Sequence, residues 1–181
     1  MDLRTEVDAH LRLALGTPVL STSGRAAGRR ASFRVDTYAD QPAEGAFTVV
    51  TVGLCETALQ QELLLCAWDA WRNDAFYSTL FTVADDLAAS SLPIDQGMVL
   101  ELPAAIVPES KMAHLFIYQP VYHIEGLQPI ETNSGPIPIL WLIPITDAES
   151  RLIDDRGWEA FDTLLLHRDP DLLDLRRDSI V

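Results

Sequence analysis

The sequence predicts an α+β fold, in which a central, mostly antiparallel or mixed sheet carries helices packed on it. Residues 47–52 show the two-residue period of a pleated strand, and the nearly continuous apolar run 61–68 is typical of a strand buried on both faces. Three further segments repeat apolar residues at helical spacing. Eight of the eleven prolines lie between Pro93 and Pro144, which favours short strands joined by rigid turns. The regular strand–helix alternation of a doubly wound parallel sheet is absent.

The first predicted element is an amphipathic helix over residues 2–15, which Gly16 and Pro18 close. Its apolar side chains recur on one helical face: Leu3, Val7, Leu11 and Ala14. The following residues 20–31 are small, polar and basic. We interpret them as a flexible connection.

The next predicted element is a strand that contains Phe33 and Val35 and that the turn-rich segment 39–45 interrupts. The strand pair over residues 47–68 follows, with Gly53-Leu54-Cys55-Glu56 where the chain leaves the first strand. A helix comes next, because five apolar side chains form one stripe: Phe76, Leu80, Val83, Ala84 and Leu87.

The second half of the sequence predicts three strands, at residues 98–102, 114–118 and 137–143. Thr146-Asp147-Ala148-Glu149 has the pattern of a capping box, in which the Thr and Glu side chains bond free amides at the start of a helix. A last amphipathic helix ends at Asp169-Pro170. Its apolar side chains are Trp158, Phe161, Leu164 and Leu165.

Length and charge limit the functions that the chain can have. We expect one domain over residues 1–181, with an N-terminal helix and linker in residues 1–32 and a core in residues 33–181. The net charge is −14 and is uneven, since residues 1–35 hold six arginines and three acids, whereas the remainder holds seven bases and twenty-four acids. Such a surface repels phosphate backbones, so we expect no direct nucleic-acid binding and a preference for a basic partner. The alternative is that the acidity only maintains solubility.

The location that the sequence favours is the cytoplasm. The longest uncharged apolar stretch, residues 137–145, is far shorter than the roughly 20 residues of a membrane-spanning helix, so we expect no membrane association. The N-terminus carries three acids and no continuous apolar run, unlike a secretory signal. The two cysteines, Cys55 and Cys66, are expected to be reduced.

Motifs of the common catalytic and cofactor sites are missing. The single lysine, Lys111, excludes a Walker A loop, and no Gly-x-Gly-x-x-Gly occurs. The four histidines are scattered and no metal-binding spacing is present, although His114 and His123 could approach each other across adjacent strands. We therefore expect no metal, no cofactor and no catalytic residues. One enzymatic alternative stays open, a hydrolase that uses Cys55 with a histidine, but the neighbouring Glu56 would raise the pKa of the thiol.

The strand that runs into Gly53-Leu54-Cys55-Glu56, followed by a strand that contains Glu-Leu, resembles a strand and Gly-Leu-Ser-Asp-like loop of the suppressor of fused family. Cys55 and Glu56 depart from the usual Ser and Asp. The resemblance covers residues 33–181 and includes four later segments: Ser110–Leu115, Pro138–Ile145, Gly157–Leu166 and Asp174–Arg177.

The resemblance implies a bacterial single-domain, non-catalytic protein-binding module. Small members of the family resemble immunity proteins of polymorphic toxin systems, so the expected partner is a toxin domain that this chain neutralises by direct binding. The alternative is a regulatory scaffold that captures a short peptide motif of a cytoplasmic protein, as the animal family member does with a transcription factor.

Four residues are candidates for contacts with the partner: Glu56, Trp68, Asp69 and Trp71. The resemblance places the loop at Gly53 near the family's peptide-binding region. Trp68 and Trp71 flank Asp69 at the end of a strand and are expected to be partly exposed, whereas Trp141 and Trp158 are expected in the core. Arg176 and Arg177 are predicted to form internal ion pairs.

Overall fold

A computed structural model describes residues 2–26, 29–90, 93–123 and 127–181. Its helices are α1 (Leu3–Leu15), α2 (Asp74–Ser90), α3 (Asp147–Arg156) and α4 (Trp158–Arg168). Short 3₁₀ turns cover Leu54–Glu56, Asp69–Trp71 and Val121–His123. The strands are β1 (Leu20–Ala26), β2 (Arg29–Ala39), β3 (Ala46–Val52), β4 (Glu62–Trp68), β5 (Val99–Glu101), β6 (Met112–Tyr118), β7 (Ile130–Thr132), β8 (Gly135–Ile137) and β9 (Ile139–Thr146).

The central element is a sheet with the strand order β1-β2-β3-β4-β9-β6-β5. Its neighbouring strands are antiparallel except for β4 and β9, which run parallel. The two remaining strands, β7 and β8, form a separate hairpin. The predicted α+β fold with a mixed sheet is therefore confirmed.

Both faces of the sheet are covered. Successive side chains of a strand point to opposite faces, and each set packs into a separate core. Val49 and Leu65 belong to the core on the α2 side, while Val50 and Leu64 belong to the core that contains the buried residues of α1 and α4. Every residue of β4 before Trp68 is buried, as the apolar run predicts. The described helices include none that is long and apolar enough to cross a membrane.

Both ends of α1, the start of α3 and the end of α4 lie where the sequence predicts. In α1, the side chain of Asp2 accepts a hydrogen bond from the amide of Thr5 at 2.8 Å, and Gly16 ends the helix with a φ of 92°. The five residues of the predicted α2 stripe are the buried residues of that helix. Thr146 and Glu149 form the predicted capping box at the start of α3.

The segment 20–31 corrects the prediction of a flexible connection. Residues 20–26 form β1 and residues 29–31 begin β2, while residues 27 and 28 lie outside the described residues. The register runs from Leu20 opposite Thr37 to Ala26 opposite Arg29, with an irregularity between Ser23 and Arg25. β1 is the edge strand of the sheet and pairs with β2. Its mostly polar residues show no alternation of apolar and polar side chains, so the sequence pattern did not predict a strand here.

The strands of the proline-rich half differ from their predicted bounds. β5 is shorter than residues 98–102, β6 begins at Met112, and β9 covers residues 139–146. The β7–β8 hairpin was not predicted, because two three-residue strands around a polar turn are too short to show a period.

The C-terminal tail, residues 169–181, fills a gap in the sheet. The β4–β9 ladder ends at Leu64 opposite Trp141. Beyond it, the amide of Trp68 donates to the carbonyl oxygen of Leu173 at 3.2 Å, so the tail takes the place of a strand neighbour there. Leu173 packs into the core on the α1 and α4 side and Leu175 into the core on the α2 side, so the tail crosses between the two faces.

Candidate partner-binding surfaces

The four predicted contact residues do not form one surface. In the β3–β4 pair, Val50 lies opposite Leu64 and Ala46 opposite Trp68. The turn that contains Glu56 follows the last residue of β3. Trp68 is the last residue of β4 and lies at the opposite end of this strand pair. A seven-residue strand is about 20 Å long, so this distance separates Glu56 from the Trp68–Trp71 group.

Glu56 is exposed and already has a partner within the chain. Its carboxylate pairs with the guanidinium of Arg4 at 3.0 Å, which ties α1 to the turn after β3. The same guanidinium lies against Gly53, where a Cβ would overlap it, and Gly53 has a φ of 96°. The positive φ favours glycine at this position, and a Cβ here would displace the Arg4 side chain.

The Trp68–Trp71 group is bound to the C-terminal tail and to its own turn. Trp68 is partly exposed and its Nε1 donates to Oδ2 of Asp171 at 2.7 Å. Asp69 is exposed and pairs with Arg72 at 2.5 Å. The partly exposed ring of Trp71 lies under the guanidinium of Arg176, 4.7 Å from the ring centroid. These contacts give the group a structural role, and its part in partner binding stays a prediction.

A buried carboxylate explains the loop that carries the family resemblance. Glu62, at the start of β4, accepts hydrogen bonds from the Thr51 hydroxyl at 2.5 Å and from the Gly53 amide at 2.8 Å. It also accepts from the amides of Leu54 and Cys55, at 3.3 and 3.2 Å. Burial raises the pKa of Glu62, while these hydrogen bonds oppose the shift. Glu62 thus holds the turn in place, a role that the motif did not reveal because its donors are mostly backbone amides.

The same turn makes Cys55 a poor nucleophile. Its side chain is buried, and burial raises the pKa of the thiol, with the Glu62 carboxylate acting in the same direction. A reactive cysteine needs a lowered pKa and access to solvent, and Cys55 has neither. These observations disfavour the Cys55 hydrolase.

Two further segments of the resemblance anchor the tail. The Ser110 hydroxyl donates to the carbonyl oxygen of Leu175 at 2.6 Å. Arg177 is buried and donates to both carboxylate oxygens of Glu149, at 2.6 and 3.1 Å. Arg176 is exposed and pairs with Glu109 at 2.9 Å. The predicted internal ion pairs of both arginines are confirmed.

The two strand-associated histidines have separate surroundings. Nδ1 of His114, near the start of β6, lies 3.4 Å from Asp147, whereas His123 follows the end of β6. His123 is buried with its Nε2 3.1 Å from the hydroxyl of Thr48, and burial lowers its pKa to about 4. Within the described ranges, no three side chains of the metal-binding types are grouped to hold an ion.

A notch at the end of β6 is the candidate site that the structure adds. The β6–β9 ladder ends at Tyr118 opposite Trp141, so Ile139 and Leu140 have a strand neighbour only on the β4 side among the described residues. A cavity of about 470 Å³ lies on the open side, which is within the size range of binding pockets. Asp95 is among its described lining residues, which include no lysine, arginine or histidine.

The notch is a candidate site for an extended segment of another protein, because backbone next to an open strand position can form sheet hydrogen bonds. Prolines give its walls a fixed backbone, since Pro120, Pro129 and Pro138 all line it. The dense prolines of this half were the sequence signal, but they do not indicate where the ladder stops.

Comparison with known proteins agrees with this architecture. The family described as suppressor of fused protein (SUFU) matches residues 31–178. The chain belongs to this family. A curated relative, the immunity protein YqcF of Bacillus subtilis strain 168, is 22% identical over 162 residues that cover 84% of each protein.

Solved structures of suppressor of fused proteins share the fold. A homologue from Neisseria gonorrhoeae superposes with a TM-score of 0.82 at 20% identity, covering 100% of this chain and 98% of that one. The structure of the Sufu–Fu complex gives 0.74 at 13% identity, covering 97% and 91%. Drosophila suppressor of fused gives 0.70 at 12% identity and covers 98% of this chain, which spans 50% of the Drosophila protein.

Proposed function

We propose that this chain is a cytoplasmic immunity protein of a polymorphic toxin system, which neutralises a partner toxin by direct binding without catalysis. The observation that carries the proposal is the relative named an immunity protein, which aligns over 84% of both chains. The site chemistry supports it. Cys55 and His123 are buried, and Nδ1 of His114 lies 3.4 Å from the Asp147 carboxylate.

Charge supports a basic partner. The net charge is −14, and the lining of the notch carries Asp95 and no cation among its described residues. An acidic surface attracts a basic protein and raises its rate of association. Many toxins that act on nucleic acids are basic, so an acidic inhibitor can occupy the surface that would otherwise track phosphates.

The test is growth rescue. The toxin domain encoded by the adjacent reading frame is expressed in a surrogate host, with and without this chain. Relief of toxicity by co-expression, together with a copurifying complex, is the expected result. Toxicity that persists when this chain is expressed in soluble, folded form would count against the proposal, and so would an adjacent product with no toxicity.

One observation favours a second function, the capture of a short peptide motif by a regulatory scaffold. The notch leaves Ile139 and Leu140 open on one side, and one of the similar structures is described as a Sufu–Fu complex. A scaffold of this kind would bind an isolated peptide of its partner nearly as tightly as the whole protein. An immunity protein would need the folded toxin domain, because a larger surface carries the affinity.

A further inference from the structure

A second concave surface shares Val121 with the notch. We call it the α4 groove. It has a volume of about 200 Å³ and lies between the last turns of α4 and the end of β6. Apolar side chains make up most of its wall, with Val121, Tyr122, Leu165, Leu166 and Leu172 among them.

The α4 groove exposes apolar surface that the fold leaves uncovered. Leu166 is 77% exposed, Tyr122 39% and Val121 37%. They are three of the eight large apolar side chains that are exposed in the described part of the chain. The other five lie on or beside α1, β1 and β5 and at the C-terminus. Exposed apolar residues grouped in a concave surface are typical of sites that take a partner's side chain.

The charge of the groove indicates which type of residue lies next to the partner's apolar side chain. Asp162 and Asp169 line it, and its described lining includes no lysine, arginine or histidine. Asp162 accepts a hydrogen bond from the Tyr118 hydroxyl, and burial raises the pKa of Tyr118 to about 12 with the Asp162 carboxylate acting in the same direction. The Asp169 carboxylate forms no ion pair with any described residue. A lysine or arginine next to a bound apolar side chain can therefore pair with Asp162 or Asp169, which have no cationic partner within the described lining of the groove.

We propose that the α4 groove binds an apolar side chain of the partner protein, next to a lysine or arginine that pairs with Asp169 or Asp162. Val121 lines both the groove and the notch, so one segment of the partner can lie in the notch and continue over Val121 into the groove. This inference rests on the proposed function only in taking the ligand to be a protein.

A probe that does not depend on the identity of the partner tests the groove. The ¹⁵N-labelled chain is titrated with three capped pentapeptides that have the central sequences Lys-Leu-Lys, Glu-Leu-Glu and Lys-Ser-Lys, while amide chemical shifts are followed. We expect saturable shifts at Tyr122, Leu166 and Asp169 with Lys-Leu-Lys, and at least about threefold weaker binding of the other two peptides. No saturable shift by about 5 mM, shifts centred elsewhere, or equal binding of Glu-Leu-Glu would overturn the proposal.

Two pairs of variants complete the test. Leu166→Ala should weaken the Lys-Leu-Lys peptide at least about threefold, whereas Leu13→Ala, at a leucine of α1 that is 87% exposed, should leave it unchanged. Asp169→Asn keeps a residue that tolerates the φ of 44° at this position and should lose the preference for lysine. Asp155→Asn, an exposed acid of α3 outside the groove lining, is its control.

Growth rescue separates this inference from the proposed function. If the Leu166→Arg variant rescues growth as well as the Leu13→Arg variant does, the proposed role of the groove is wrong and the immunity function still holds. Failure of rescue by the unmodified chain would count against the immunity function, and the peptide titration would still decide whether the groove binds.

Discussion

The ion pair between Arg177 and Glu149 should carry much of the stability of the C-terminal tail. Arg177 is buried, and besides its two bonds to Glu149 it donates to the carbonyl oxygen of Pro144 at 3.2 Å. Arg177→Met keeps the length of the side chain and removes the charge. Glu149 then remains buried as a charge whose other hydrogen bonds come from the Thr146 and Ile180 amides, at 2.8 and 3.1 Å.

Removing one partner of a buried ion pair costs about 3 to 5 kcal/mol. For a chain of this length, such a loss lowers the melting temperature by about 6 to 20 °C. The neighbouring Arg176 is the matched control, because its ion pair with Glu109 is exposed. Arg176→Met should cost about 0 to 1 kcal/mol for the ion pair and about 0.5 to 1 kcal/mol for the contact with the Trp71 ring.

Urea unfolding of the two variants measures both values. The expected result is a free energy of unfolding that is at least about 1 kcal/mol lower for Arg177→Met than for Arg176→Met. Amide exchange at Leu173 and Leu175 should also be faster in Arg177→Met, since the tail is anchored through this arginine. Equal losses in the two variants, or a loss below about 1 kcal/mol for Arg177→Met, would refute the reasoning.

Three further predictions concern the core and the turn after β3. Gly53→Ala should cost more than Gly45→Ala in urea unfolding, by about 0.5 to 1 kcal/mol. Both glycines have a positive φ, but only a Cβ at Gly53 would displace the Arg4 side chain from its exposed ion pair with Glu56; equal costs would contradict this. The free energy of unfolding should fall by up to about 3 kcal/mol as the pH is lowered from 6.5 towards 4. In this range His123 binds a proton in the unfolded chain but stays neutral in the folded one. His123→Gln should flatten this part of the stability curve, and an unchanged slope would show that another group is responsible. Neither Cys55 nor Cys66 should react with a thiol reagent until urea unfolds the chain, and rapid labelling of native Cys55 would revive the hydrolase.

The elements that the sequence predicts well are those whose packing is local. The α2 stripe and the Thr146–Glu149 capping box follow from spacings of three or four residues, which a helix turns into contacts whatever the rest of the fold does. The β1–β2 hairpin and the path of the tail depend on pairing with distant residues. Ser21 and Thr22 in β1 carry no apolar period, so the pattern resembled a linker.

The candidate site was harder to predict for a related reason. Trp68 and Trp71 are partly exposed as expected, but their partners are Asp171 and Arg176, a hundred residues away in the sequence. The notch exists because β6 stops at Tyr118 while β9 begins earlier, at Ile139. Strand ends of this kind depend on register across the sheet, and a single sequence does not encode register as a local pattern.

Three residues in the segments that carry the family resemblance are structural anchors, and their presence says nothing about which partner is bound. Glu62 shapes the turn after β3, Ser110 fixes the tail at Leu175, and Arg177 joins the tail to α3 through Glu149. Each bond is buried or partly buried, so it constrains the fold rather than the surface. None of these three residues lines the notch or the α4 groove, whose walls include Asp95 and Leu166 respectively. Two members of the family can therefore share every one of these anchors and bind different proteins, because specificity lies in surface residues that the anchors do not determine.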